Sequence, residues 1–147
     1  MKRLDRILAA VSLATAIAFS IPALADDTAR IASQYAAWAG GKSNADSLVR
    51  GLRTGSSITL VTVSADRTRS VAGFTAQTQM SPEEISAALA SAKSTLARMG
   101  VRQPSADQIQ AALIGGEVTQ PNGNVAAVQG QFAAGGMQPA SGRVAQR

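Results

Sequence analysis

Arg50, Arg53, Arg67 and Arg69 are the side chains whose type and spacing first suggest chemistry. Arg50 and Arg53, at i and i+3, lie close together on a helix, where their guanidinium forks can hold a phosphate or carboxylate. The same two positions also suit a solvated helix end, since cations favour the negative pole of the helix dipole. Arg67 and Arg69 fall in the polar run Ser64-Ala65-Asp66-Arg67-Thr68-Arg69 and form a second basic spot at the tip of an expected hairpin. Charge there also keeps an edge strand from pairing with other molecules. Tyr35 and Trp38 offer either an aromatic contact for a sugar or partner, or the main core anchors of an aromatic-poor protein.

Catalytic constellations are scarce. The chain has no histidine and no cysteine, which removes Ser-His-Asp and Cys-His nucleophiles and imidazole acid–base chemistry. The usual ligands of zinc, haem and iron–sulfur clusters go with them, so no cofactor or metal is expected. Lys42-Ser43 and Lys93-Ser94 supply the residue types of a Ser/Lys dyad, but helix neighbours do not face each other. Glu83 and Glu84 are adjacent and diverge in the same way, and Glu84 is better placed as a capping residue. A glycosidase needs paired acids ~5–10 Å apart across a cleft. Few carboxylates are left to build one.

The start of the chain has the order of an export signal. Met1–Arg6 is short and net positive, and Ile7–Ile21 is fifteen residues without a charge. Pro22 then interrupts, and Ala23-Leu24-Ala25 supplies the small-x-small cleavage pattern. Cleavage after Ala25 is expected. The run is short for a membrane-spanning helix, which needs ~20 apolar residues, and no later stretch is longer. Residues 1–25 therefore read as a cleavable signal peptide, 26–134 as a single small domain and 135–147 as a flexible tail. The product should be exported, either periplasmic or secreted. Loss of Lys2, Arg3, Arg6 and Asp5 leaves eleven basic and eight acidic residues, a net charge of +3 over 122 residues. So mild a charge, outside the cytoplasm, gives no case for a nucleic-acid partner.

The pattern of the remainder predicts an α+β fold. Three or four short helices, including an αα-hairpin, should pack on a small antiparallel β-hairpin sheet. Thr28–Ala39 reads as a first helix, with Ile31, Tyr35 and Trp38 on one face and Gly40-Gly41 as its end. A second helix is expected from Ser43 or Asn44, capped with help from Asp46 and closed by Gly55. Ser57–Val63 is β-branched and alternating, and Val71–Gln77 can return beside it with Phe74 facing the helices. Ser81-Pro82-Glu83-Glu84 is a capping box with proline at N1, opening a helix to about Met99. Ser105-Ala106-Asp107-Gln108 repeats the box before a short helix ended by Gly115-Gly116. Beyond it, Val118 suggests a short strand and Asn122-Gly123 a turn. Val125–Gln129 fits either a returning strand or a weak helix reaching Phe132.

Three segments carry a resemblance. Gln34-Tyr35-Ala36-Ala37-Trp38-Ala39-Gly40 is one, and Ser47-Leu48-Val49-Arg50-Gly51-Leu52-Arg53-Thr54-Gly55 with Ile58-Thr59-Leu60 is the next. Gln108-Ile109-Gln110-Ala111-Ala112-Leu113-Ile114-Gly115-Gly116 completes the set. In this order they resemble a group of small exported proteobacterial proteins of uncharacterised function. Members of that group often end in a Gly-Met-Gly-Trp-Gly type segment, where this chain has Gly136-Met137-Gln138-Pro139 without the tryptophan. The resemblance implies neither catalytic residues nor a substrate.

Together these features predict an exported, non-catalytic accessory or interaction protein whose partner is another protein or an envelope polymer. The alternative is a basic module attaching to anionic polysaccharide or lipid through Arg50, Arg53, Arg67 and Arg69. A small carboxylate- or Ser/Lys-based hydrolase is the third reading.

Overall fold

The alternating run Ser-Ile-Thr-Leu-Val-Thr-Val forms strand β1, Ser57–Val63. Ile58, Leu60 and Thr62 turn inward and are buried, while Ser57, Thr59 and Val63 remain exposed. This is the period-two division of a strand covered on one side. Strand β2, Arg69–Ala76, returns antiparallel, with Ile58 opposite Phe74 and Val61 opposite Val71. It begins two residues before the expected Val71, because pairing continues to Val63 opposite Arg69. The computed structural model describes residues 23–132 and 137–139, and among these it is an α+β protein with four helices and two antiparallel sheets. The expected signal region up to Pro22 and most of the tail expected from Gly135 lie outside the described residues.

Helix α1, Ala23–Tyr35, starts and stops earlier than the predicted Thr28–Ala39. Its end is drawn into hydrogen-bonded turns, Ala39 N–H to Tyr35 O at 2.8 Å and Gly41 N–H to Ala36 O at 2.8 Å. Gly40 lies at φ 81°, a left-handed conformation, and a Cβ there would stand 2.7 Å from the Thr62 methyl. Helix α2, Lys42–Thr54, follows at once. Its amphipathic stripe buries Ala45, Leu48, Val49 and Leu52, and Gly55 closes it in the left-handed conformation.

Helix α3, Pro82–Arg98, and helix α4, Ala106–Ile114, both open with complete capping boxes. Ser81 Oγ accepts from Glu84 N–H at 3.3 Å, and Glu84 Oε2 accepts from Ser81 N–H at 2.7 Å. Ser105 and Gln108 repeat that exchange. The helices are consecutive and touch, but α3 also packs on α1 and α2 whereas α4 packs on β2. An αα-hairpin does not stand out as a unit, because both helices, besides packing on each other, also pack on further elements.

The segment left open between helix and strand is a hairpin. β3, Gly116–Thr119, pairs antiparallel with β4, Val125–Val128, around the Asn122-Gly123 turn. Gln120 N–H donates to Asn124 O at 2.7 Å across that turn. These two strands form a sheet of their own, separate from the order β1-β2-β5. β5, Met137–Pro139, lies within the region expected to be a flexible tail and pairs beside Phe74–Ala76. The core between helices and sheet is built on Phe74, Leu48, Leu52, Ile58, Leu60, Ile85, Leu89 and Leu96, all buried.

Candidate interaction surface

Because one face of the β1–β2 hairpin is spent on the core, its other face fixes what the molecule offers outward. β1 sends out Thr59, Val61 and Val63, and β2 sends out Arg69, Val71, Gly73 and Thr75. Register sets Val61 directly against Val71 and Val63 directly against Arg69. Val63 is 65% exposed and Val71 53%, high values for side chains with no polar atom to hydrate. The result is a small apolar strip with a guanidinium at its border. Cross-strand neighbours on one face interact at Cβ distances of ~5 Å, so these residues act as one surface.

The strip is held rigid from its edge. Asn44, near the start of α2, is buried and turns its amide on the outer edge of β1. Its Nδ2 donates to Val61 O at 2.8 Å and to Ala39 O at 2.7 Å, and its Oδ1 accepts from Val61 N–H at 3.0 Å. One turn along, Ser47 Oγ accepts from Thr59 N–H at 3.3 Å. The side chains of α2 thereby occupy the hydrogen-bonding places of a missing neighbour strand, which shields an otherwise adhesive edge. Asn44 is consequently not the helix cap expected from the sequence. Gly41 fills the N-cap position of α2 with no side-chain bond, and Asp46 pairs with Lys42 at 2.9 Å. On the far strand, Gln110 Nε2 donates to Gly73 O at 3.2 Å.

The hairpin tip is a built turn. Asp66 accepts from Thr68 N–H at 3.1 Å and from Thr68 Oγ1 at 2.8 Å. Those bonds, the backbone one first, stabilise the carboxylate and hold its pKa below the usual 3.8. Arg67 sits beside it at φ 65°, a left-handed conformation uncommon for a residue with a side chain. Its amide donates to Ser64 O at 2.9 Å, closing the turn.

The four arginines fall into two places. Asn44 meets Val61 near the tip end of β1, and Gly51 packs against Ile58 near its start. α2 therefore runs antiparallel to β1, and Arg50 and Arg53 lie at the opposite end from Arg67 and Arg69. Seven strand residues at ~3.3 Å each put roughly 20 Å between the ends. Arg69 belongs to the valine strip and Arg67 to its tip, while Arg50 and Arg53 border hollows beside α2.

Tyr35 and Trp38 are inside. They are 4% and 5% exposed, with ring centroids 6.1 Å apart in an edge-to-face arrangement. Tyr35 Oη donates to Ser86 O at 3.3 Å, tying α1 to α3. Lys93 Nζ lies 5.9 Å from the same ring. Neither Lys-Ser pair forms a dyad in the hydrogen bonds described: Lys42 is bonded to Asp46, and Lys93 faces Tyr35. Glu84 is engaged by its capping box. Among the described residues no group of three or more carboxylates gathers to hold a metal ion. Likewise, no helix among them is long and apolar enough to cross a membrane.

Sequence reasoning missed one further hollow, a polar cleft of about 670 Å³ where three connections converge. Ser64 and Asp66 come from the hairpin tip, Arg102 and Gln103 from the α3–α4 link, and Gln120 from the β3–β4 turn. These residues are far apart in the chain, and only the packing of α4 against both sheets brings them together. No family model matches the sequence, and neither the curated proteins nor the solved structures include a match to it.

Proposed function

We propose that this chain is an exported, non-catalytic interaction module that docks a partner protein on the outer face of its β1–β2 hairpin. One observation carries the reading: exposed Val63 and Val71, joined by half-buried Val61, form an apolar strip with Arg69 paired directly against Val63. The partner that fits has an apolar patch flanked by carboxylates, one part covering the valines and the other meeting Arg69 and Arg67. Apolar contact supplies affinity there, and the bordering charges supply orientation and encounter rate. Export rests on the order of charge, apolar run and small residues through Ala25. The resemblance to small exported proteobacterial proteins agrees with it.

The test is crosslinking with mass spectrometry on cell envelope and culture supernatant, with the natural chain and Val71→Asp compared side by side. The natural chain should yield a reproducible crosslinked protein at the hairpin face, and Val71→Asp should lose it while unfolding at the same denaturant concentration. Recovery of the natural chain as a lone monomer, or an unchanged crosslink in the variant, would overturn the reading. N-terminal sequencing of the exported product should begin at Asp26. A mature chain beginning at Met1 would remove the export half of the proposal.

A further inference from the structure

Arg50 is exposed on α2, and among the described residues no side-chain hydrogen bond or ion pair engages its guanidinium. It stands over a hollow of about 330 Å³ whose other walls are largely hydroxyls. Ser43, Ser47 and Arg50 recur along one side of the helix at i, i+4 and i+7. Ser56 enters from the connection between α2 and β1, and Ser57 from the first position of β1. Asp46 also reaches the hollow, with its charge already offset by Lys42 at 2.9 Å. Arg50 and Asp46 border a second hollow of about 330 Å³ between α1 and α2, lined further by Thr28, Arg53 and Thr54 and by the apolar Ala32 and Val49. The two hollows therefore meet at one arginine.

We propose that this double hollow binds an acidic polysaccharide, with a uronate carboxylate on Arg50 and sugar hydroxyls on the serines. The donor set selects that chemistry. Each serine hydroxyl both donates and accepts, which suits sugar hydroxyls that do the same. A guanidinium fork matches a planar carboxylate with two parallel bonds. A phosphate site would gather backbone N–H groups around a dianion. Here the lining is side-chain hydroxyls with Arg50 and Arg53, and Asp46, already offset by Lys42, can accept from a sugar hydroxyl. A lipid surface calls for a cluster of several cations at one level, and these hollows set Arg50 and Arg53 around the carboxylate of Asp46. Two hollows in series accommodate successive sugars of a chain rather than a single one. This site is about a strand's length from the hairpin tip and is independent of protein docking on the valine face.

The experiment is an NMR titration of the exported chain with oligogalacturonate, using a neutral galactose oligomer of equal length as the control. Backbone shifts should concentrate at Ser43, Ser47, Arg50, Ser56 and Ser57 and weaken as salt rises. Arg50→Ala and Arg50→Gln should each weaken binding by about tenfold or more, as loss of a charge-assisted bidentate pair implies. Arg69→Ala should leave it unchanged. The proposal is overturned if oligogalacturonate causes no shifts at the hollow, or if Arg69→Ala weakens binding as much as Arg50→Ala does. It is also overturned if inorganic phosphate displaces the sugar at lower concentration than free galacturonate. The same Val71→Asp protein should bind the sugar normally, so the two proposals fail separately.

Discussion

The starts of α3 and α4 and the start of α2 use the same polar residue types to opposite ends. At Ser81 and Ser105 the polar side chain turns back on its own helix, satisfying amides three residues away. At Asn44 the side chain ignores its helix and bonds the edge of β1, seventeen residues on. The first arrangement stabilises a helix and the second fixes a helix to a sheet. Gly41 leaves the start of α2 without a side-chain cap, and the tertiary bonds of Asn44 and Ser47 hold that helix in place instead. A local cap contributes about 1 kcal/mol, whereas a buried amide that satisfies several backbone groups leaves a larger deficit when removed.

That contrast sets the order of expected effects. Asn44→Ala should cost most, about 3 kcal/mol, because Ala39 O loses its partner in a buried place and Val61 N–H and Val61 O lose theirs in a partly buried one. Urea unfolding followed by tryptophan fluorescence would measure it, and a loss no larger than a helix cap's would show that the bonds to β1 hold no more than a local cap does. Thr62→Val should follow at about 2 kcal/mol. Its shape is kept, but the buried Ala106 N–H loses an acceptor now 2.8 Å away. Ser81→Ala and Ser105→Ala should each cost about 1 kcal/mol in the same assay. A double-mutant cycle between Ser81 and Asn44 should show additivity, since the described bonds of the two side chains share no partner.

The smallest effect concerns the hairpin tip. The Asp66 carboxylate is stabilised by Thr68, so its folded pKa lies below its usual 3.8. Stability from a depressed acid is present above the unfolded pKa and is lost as pH falls through the folded one. The tip should therefore stay closed down through pH 3.8 and open only at lower pH. An NMR titration following the Thr68 amide should give a midpoint under that value. A midpoint at or above it would show that the turn does not depend on the carboxylate.

Local signals were legible in the sequence wherever partners lie within a few residues. Both capping boxes, the alternation of β1, the Asn122-Gly123 turn and the inward Phe74 all follow from short-range pattern. The first helix was misplaced because Trp38 continues the apolar spacing of Ile31 and Tyr35, though it reaches the core from a turn. Asn44 resembled a cap because asparagine at a helix start usually is one. The sequence carries one clue to its other role, in Gly51. A helix-interior glycine is unfavourable by about 1 kcal/mol relative to alanine unless something approaches closely, and here Ile58 does.

Of the candidate surface, the types were visible but not their grouping. Arg50, Arg53, Arg67 and Arg69 could be named from the sequence, and so could the alternation that turns Val61 and Val63 away from Leu60. Which face of β1 meets the core follows from hydrophobicity, because burying Ile58, Leu60 and Phe74 removes more apolar surface from water than the alternative. Register and helix direction do not follow from any single segment. Setting Val63 against Arg69, parting the arginines to two ends of β1 and gathering the serines around Arg50 all depend on contacts between residues far apart in the chain. The sequence by itself determined the elements and the residue types that can do chemistry. Only the tertiary structure decided which of them are neighbours, because pairing energies between distant segments exist only once the chain has closed the loops between them.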